Sequence, residues 1–140
     1  MLKAKAVLCP GLKIKFLDER DDSRDEWYFE DGLFEYLTAN MVEDSALPNP
    51  PVTGSLKSAD GEVEWGLYWS IEPAELLRES YVNLIPTVNG GTHLSGMKQG
   101  LVEALRDFID SRNLMPRGLK ITAEDVAENF VAINSLGISD

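Results

Sequence analysis

The sequence predicts a single α+β domain in which helices lie on one face of a mainly antiparallel β-sheet. Two observations support this prediction. Several short segments alternate polar and apolar residues and are separated by turn signals, and one long segment has apolar residues at the helical spacing of three and four. The 140 residues suffice for one domain with its own core, and 44% of them are hydrophobic, as in ordinary globular proteins.

The first third of the chain predicts a helix, a β-hairpin and a second helix. Residues 1–8 have helical spacing, with Leu2 and Ala6 on one side, and Pro10-Gly11 ends the helix. Alternating residues, a charged turn and an aromatic stretch then predict a hairpin with strands over 13–17 and 26–30. Asp31 is the predicted N-cap of a short amphipathic helix. Its apolar side carries Leu33, Phe34, Leu37 and Met41.

The middle of the chain predicts further strands. Asn49-Pro50-Pro51 indicates a loop, and two strands over 52–58 and 62–71 follow, joined by Ala59-Asp60-Gly61, which is a hairpin signal. The second strand places Val63, Trp65, Leu67 and Trp69 on one face. Residues 72–77 predict a turn or a single helical turn. Residues 81–85 predict a strand that ends at Pro86.

The last third predicts the longest helix, over 92–113. Its apolar side carries Leu94, Met97, Leu101, Leu105, Phe108 and Ile109. A break follows at 115–118. Thr122 and Asp125 have the spacing of a capping box in which Asp takes the usual place of Glu, so a short helix is expected to about residue 128. Residues 130–136 have strand character.

The charge balance argues against direct nucleic-acid binding by this chain. Thirteen basic residues against 24 acidic ones give a formal net charge of −11, which repels phosphates unless cations gather locally. The one place where they could gather is around Arg112, Arg117 and Lys120. No apolar run approaches the roughly 20 residues that span a bilayer, and no export signal opens the chain. With Cys9 as the single cysteine, we expect a cytoplasmic protein without membrane contact.

The sharpest local feature is Asn89-Gly90-Gly91-Thr92-His93 at the start of the long helix. Glycines allow positive φ at such a junction, and Thr92 is the expected cap of the helix. The free amides of a helix N-terminus suit a phosphate or carboxylate, which is the functional interpretation. The structural interpretation is a tight, capped turn, and the absence of a complete phosphate-binding fingerprint favours it.

The remaining reactive residues do not assemble into a catalytic or metal motif. His93, the one histidine, lacks an evident nucleophile or partner, and Cys9 shows no sign of activation. The acidic residues 18–22 lack the EF-hand pattern and suit a solvated hairpin tip. The tryptophans and tyrosines fit core packing better than a base-stacking surface, because they occur at strand spacing in an acidic chain. They are Trp27, Tyr28, Trp65, Tyr68, Trp69 and Tyr81.

Two stretches around the glycine turn, Ser80 to Thr87 and Gly90 to Leu101, resemble the centre of the transducer domain in bacterial type II DNA topoisomerases. That domain belongs to the ATPase subunits of DNA gyrase and topoisomerase IV. Residues 8–14 resemble the same family's linker from the ATPase domain to the transducer, and residues 27–33 resemble its first hairpin and helix. Residues 112–118 together with 122–126 resemble topoisomerase IV rather than gyrase.

The resemblance implies the fold of the second domain of the ribosomal protein S-five family. Residues 1–11 would end the linker helix from an ATP-binding domain that is missing here. Residues 12–140 would be a transducer domain that stops before a Gln-x-Lys loop. ATP and Mg would bind elsewhere in the intact protein, so no catalytic residue, cofactor ligand or metal ligand is expected in this chain. The implied partners are the A subunit of topoisomerase IV, a second B subunit and, through the holoenzyme, DNA.

The structural or transduction candidates within this chain are Gly90, Gly91, Thr92, His93 and Lys98. Three residues depart from the family pattern: Ala127, Asn134 and Gly137. Because Asn and an interior Gly weaken strands, pairing of the last strand is doubtful. Two alternatives stay open, namely the equivalent gyrase segment and a stand-alone module that binds an anion at Gly90-Gly91-Thr92.

Overall fold

The computed structural model describes residues 1–42, 44–71 and 78–138. Within these ranges it contains four helices and seven strands. In chain order they are α1 (Leu2–Leu8), β1 (Ile14–Asp18), β2 (Ser23–Trp27), α2 (Gly32–Asn40), β3 (Ala46–Lys57), β4 (Gly61–Ser70), β5 (Arg78–Val82), β6 (Ile85–Pro86), α3 (Gly91–Arg112), α4 (Ala123–Ala127) and β7 (Phe130–Ile138). In the described ranges no helix is both long and apolar enough to cross a membrane.

The strands form a two-stranded hairpin and a separate five-stranded sheet of order β3-β4-β7-β5-β6. All neighbours in the larger sheet are antiparallel except β5 and β7, which are parallel. The predicted α+β class with a mainly antiparallel sheet is therefore confirmed. The doubt about the last strand was wrong, because β7 is the central strand and pairs along both of its edges.

The helices lie on both faces of this sheet, so their predicted placement on one face was wrong. Successive residues of a strand point to opposite faces. On β7, Val131 and Ile133 pack with α1 and α2, whereas Phe130 and Ala132 pack toward α3. The sequence showed the alternation on single strands but not that β7 is buried on both faces. A strand in that position needs apolar residues in succession rather than in alternation.

The first helix and the hairpin were predicted correctly, with shifts in their details. In α1, Ala6, Val7 and Leu8 are buried, whereas Leu2, expected on the buried side, is exposed. The hairpin pairs Ile14 with Trp27 and Asp18 with Ser23, so β2 starts earlier than expected. Part of the predicted charged turn therefore belongs to the paired strands.

Two segments of the larger sheet differ from the prediction. The expected loop at 49–51 lies within β3, which is an edge strand and so tolerates prolines, although the pairing register shifts between Leu47 and Val52. The strand expected over 81–85 is instead two short strands joined by Asn83 and Leu84, both at positive φ. The turn expected at 72–77 lies outside the described residues.

The long helix α3 matches its prediction within one residue, but its apolar side is only partly buried. Met97 and Leu101 pack against the sheet with Trp65 and Trp69, whereas Phe108 is exposed beside Arg112. Val102 is the one fully buried residue of α3. The sheet therefore holds α3 mainly through the first half of the helix.

The short helices α2 and α4 are capped differently. The capping box predicted for α4 is confirmed: Asp125 N donates to Thr122 Oγ1, and Thr122 N donates to Asp125 Oδ2. Asp31 is the N-cap residue of α2 as predicted, but its side chain makes no capping hydrogen bond. Trp69 Nε1 and Arg78 Nη2 donate to the carbonyls of Val126 and Ala127, which ties α4 to the sheet.

Thr122→Ala should lower the free energy of unfolding by about 1 kcal/mol, because it removes the acceptor for a helix amide. Urea unfolding followed by circular dichroism measures this. Asp31→Ala is the matched control and should cost less, since it removes charge near a helix start but no capping bond. Equal losses in the two variants would contradict the assignment of the caps.

Candidate functional site

The glycine turn begins α3 as the sequence predicts, but a glycine caps the helix. Gly90 is the N-cap residue with φ of 82°, and Gly91 follows with φ of 61°. Thr92 is exposed and no side chain caps the helix, so the expected role of Thr92 was wrong. A Cβ on Gly91 would lie 2.8 Å from Cε1 of His93. Gly91 is therefore required by its backbone conformation and by its contact with the histidine ring.

Ser80 of β5 fixes the loop before this turn. Its Oγ donates to the Gly90 carbonyl at 3.2 Å and forms a hydrogen bond with Thr87 Oγ1. The backbone N–H of Thr87 donates to the Ser80 carbonyl at 2.8 Å, and Thr87 Oγ1 donates to the same oxygen at 3.0 Å. Because Ser80 is buried, the start of α3 is held to the sheet at a defined point, which we call the Ser80–Gly90 contact.

His93 turns its ring toward Gly91 and is not fully open to solvent. The residue is half-buried, and its Nε2 is solvent-inaccessible with no hydrogen-bond partner in the part of the chain that the structure describes. One turn further along, Met97 Sδ lies 3.8 Å from Nδ2 of Asn134 on β7. Asn134 is 1% exposed, and its Oδ1 also has no partner among the described residues. The start of α3 therefore covers a polar position in an otherwise apolar layer.

Lys98, the last candidate, lies apart from the other four. It is five residues beyond His93, which places it about 140° further around the helix. It lines a shallow groove between α3 and α4 together with Ser95, Val102 and Ala123. The structure thus brings Gly90, Gly91, Thr92 and His93 together in one turn, whereas Lys98 lies more than one turn further along α3 and on a different side of the helix from His93.

A second polar cluster was missed by the sequence analysis. Glu79 of β5 accepts hydrogen bonds from two tyrosines, from Tyr36 of α2 at 2.9 Å and from Tyr81 of its own strand at 2.6 Å. Both tyrosines are almost fully buried. Burial raises the pKa of each phenol well above its ordinary value, and the hydrogen bond to Glu79 and its charge raise the pKa further.

The sequence contains part of the information needed to predict this cluster. Glu79 and Tyr81 alternate on one strand, and Tyr36 is next to the predicted buried residue Leu37. Neither the strand pattern nor the helix pattern shows that α2 packs on β5, because Tyr36 and Glu79 are 43 residues apart in the sequence. Of the aromatic residues expected in the core, Tyr68 and Tyr81 are buried, but Tyr28 is 44% exposed beside Lys13.

Among the described residues, no three His, Cys, Asp or Glu side chains lie close enough together to hold a metal ion. At the acidic hairpin tip, the Asp18 carboxylate is bound by a neighbouring arginine: Arg20 Nε donates to Asp18 Oδ1 at 2.9 Å. This hydrogen bond lowers the pKa of Asp18.

Because Tyr36 and Tyr81 are buried, we predict that part of the tyrosine ionisation in an alkaline titration occurs only at high pH. Because the folded pKa exceeds the unfolded one, the neutral phenols of Tyr36 and Tyr81 stabilise the fold fully below pH of about 10. That stability is lost as the pH rises further. Ultraviolet difference absorbance should show these phenols ionising only as the circular dichroism signal is lost. The double substitution Tyr36→Phe with Tyr81→Phe should reduce this component to the contribution of Tyr68, whose pKa burial also raises. Titration of every tyrosine in one step with the fold intact would contradict the cluster.

Comparison with known proteins identifies the family. The family model described as DNA gyrase B matches residues 32–140. The chain is 49% identical over its whole length to the B subunit of DNA topoisomerase 4 from Haemophilus influenzae, covering 22% of that protein. With the B subunit of DNA gyrase from Chlamydia muridarum it is 36% identical over 98% of the chain, covering 18% of that protein. The chain thus spans about a fifth of the length of these relatives.

Two solved structures of related proteins share the fold. One is the topoisomerase IV ATP-binding domain of Francisella tularensis in complex with a small-molecule inhibitor. It is 34% identical, with a TM-score of 0.79 over 99% of this chain and 37% of that one. The other is the 43K ATPase domain of Thermus thermophilus gyrase B with an aminocoumarin. It is 26% identical, with a TM-score of 0.80 over 99% of this chain and 38% of that one. The chain belongs to the DNA gyrase B family, as a segment of a type II topoisomerase B subunit related to that of topoisomerase IV.

Proposed function

We propose that this chain is the coupling (transducer) segment of the ATPase subunit of topoisomerase IV. It would relay ATP binding and hydrolysis to double-strand DNA passage, and so to decatenation and relaxation. The observation that supports this most is the overlap with the Francisella tularensis structure described as an ATP-binding domain. The chain covers 37% of that structure, with a TM-score of 0.79.

In this proposal residues 1–11 end the linker helix from the ATP-binding domain, and residues 12–140 form the transducer. ATP and Mg bind to the intact protein outside this chain, so the segment alone hydrolyses no ATP. The intact parent is the ATP-hydrolysing isomerase, and it acts in the cytoplasm. Its partners are the A subunit of topoisomerase IV, a second B subunit and DNA, which it contacts through the holoenzyme.

The geometry supports a coupling role because the chain connects two helical layers through one sheet. Val7 and Leu8 of α1 pack with α2 on one face, and α3 packs on the other. A displacement of α1 by nucleotide binding upstream would be transmitted to this core, since packed interiors respond to small shifts as units. Gly90, Gly91, Thr92, His93 and Lys98 are the proposed transduction residues, with Gly90 and Gly91 setting the direction in which α3 leaves the sheet.

The two alternatives have weaker support. The gyrase assignment is disfavoured by the identities, 49% to the Haemophilus influenzae topoisomerase IV protein and 36% to the Chlamydia muridarum gyrase protein. An anion-binding module would rest on the helix start alone, without the threonine cap that was expected there. Titration of the chain with phosphate or nucleotide, followed by NMR at the Gly90 to Leu94 amides, checks this alternative.

Gly91→Ala in the intact B subunit should uncouple ATP hydrolysis from strand passage. The alanine adopts φ of 61° at a cost of about 1–2 kcal/mol, and its Cβ displaces the His93 ring, so the start of α3 shifts. Gly96→Ala is the matched control, because a Cβ there meets nothing within 4 Å. The measurements are ATP turnover and decatenation of linked circular DNA by the reconstituted enzyme.

We expect Gly91→Ala to hydrolyse ATP while decatenating several-fold less DNA per ATP, and Gly96→Ala to match the unmodified enzyme. The proposal fails if Gly91→Ala keeps the normal ratio of decatenation to hydrolysis. It also fails if the isolated chain hydrolyses ATP or binds it tightly.

A further inference from the structure

Strand β5 bears the two polar clusters of the domain on adjacent residues. The Glu79 carboxylate accepts the phenols on the α1–α2 face, and the Ser80 hydroxyl donates to the Gly90 carbonyl on the α3 face. Neighbouring residues of a strand point to opposite faces, so these contacts lie on either side of the same short segment. A shift of β5 moves both contacts together.

The α1–α2 side of this connection is closely packed around Tyr36. The ring of Phe29 meets the Tyr36 ring edge-on, with centroids 5.9 Å apart, and Lys3 Nζ of α1 lies 5.4 Å above the same ring. Tyr36 therefore contacts the linker helix α1 through its ring and the sheet through its hydroxyl. The Glu79 carboxylate is the acceptor at the sheet end of this path.

Strand β5 is also less restrained than the inner strands β4 and β7. On one edge it pairs in parallel with β7, and on the other it pairs only with the two-residue strand β6. Strand β4, in contrast, is paired along nearly its whole length on both sides. Since β5 is paired over its whole length on one edge only, the side-chain contacts of Glu79 and Ser80 contribute to fixing its position.

We propose that Glu79 is a positioning residue: it transmits a displacement of α1 and α2 through β5 to the Ser80–Gly90 contact and so to α3. This inference rests on the proposed coupling function and names the residues that carry the coupling inside the domain. Glu79 touches no nucleotide or DNA in this proposal. It acts by keeping Tyr36, Tyr81 and β5 together while the helices move, because hydrogen bonds to a charged acceptor are stronger than those to a neutral one.

The test uses the intact B subunit reconstituted with its A partner and compares Glu79→Gln and Tyr36→Phe with Tyr68→Phe. Tyr68 is the matched control, since it is buried in the same core but its hydroxyl donates to the Asn40 carbonyl instead of Glu79. The first readout is decatenation per ATP hydrolysed. The second is the NMR shift of the methyl group of Met97 on addition of a non-hydrolysable ATP analogue. Met97 belongs to α3, and its Sδ lies 3.8 Å from Nδ2 of Asn134 on β7.

We expect Glu79→Gln and Tyr36→Phe to lower decatenation per ATP about fivefold or more and to abolish the nucleotide-dependent shift of Met97. Tyr68→Phe should change neither. If Glu79→Gln does not fold, the result for Tyr36→Phe tests the inference, because this variant removes one hydroxyl and keeps the ring contacts. Normal coupling and a normal Met97 shift in Tyr36→Phe would overturn the inference while leaving the proposed function intact. Absence of any nucleotide-dependent Met97 shift in the unmodified enzyme would overturn both.

Discussion

The structure depends on the position of β7, the last strand of the chain and the centre of the sheet. It pairs antiparallel with β4 and parallel with β5, and helices cover both of its faces. Residues 130–134 are consequently at most 2% exposed, including Asn134. The two halves of the larger sheet, β3-β4 and β5-β6, are joined only through this strand. The larger sheet is therefore complete only when β7 pairs with both halves, and the two helical layers meet on this strand.

This arrangement makes β5 the connection between the two faces. It is held to β7 by one parallel ladder, and its adjacent residues Glu79 and Ser80 bind opposite layers. The glycine turn alone would explain only how α3 begins. With the Ser80–Gly90 contact behind it, the direction of α3 follows the position of β5, which in turn follows the helix α2 bound by Glu79. These are the contacts through which the proposed coupling would pass.

The sequence predicted the local elements well and their assembly poorly. The hairpin, the long helix and the Thr122 capping box follow from spacing and turn chemistry, which are local properties. The glycines at positive φ were predicted for the same reason. Helix placement, the centrality of β7 and the Glu79 cluster depend on contacts between distant segments, which periodicity does not contain. Asn134 shows the difference: it weakens a strand by propensity, yet the tertiary packing places it in the centre of the sheet.

Hydrogen exchange of the intact B subunit, with and without a non-hydrolysable ATP analogue, tests the coupling role most directly. If the segment relays nucleotide binding, amide exchange should slow or accelerate in α2, in β5 and in residues 91–95 of α3, although the nucleotide binds elsewhere. Such changes on both faces of the sheet are the predicted result. Exchange that changes only outside these 140 residues would contradict the account, because the segment would then be a passive spacer.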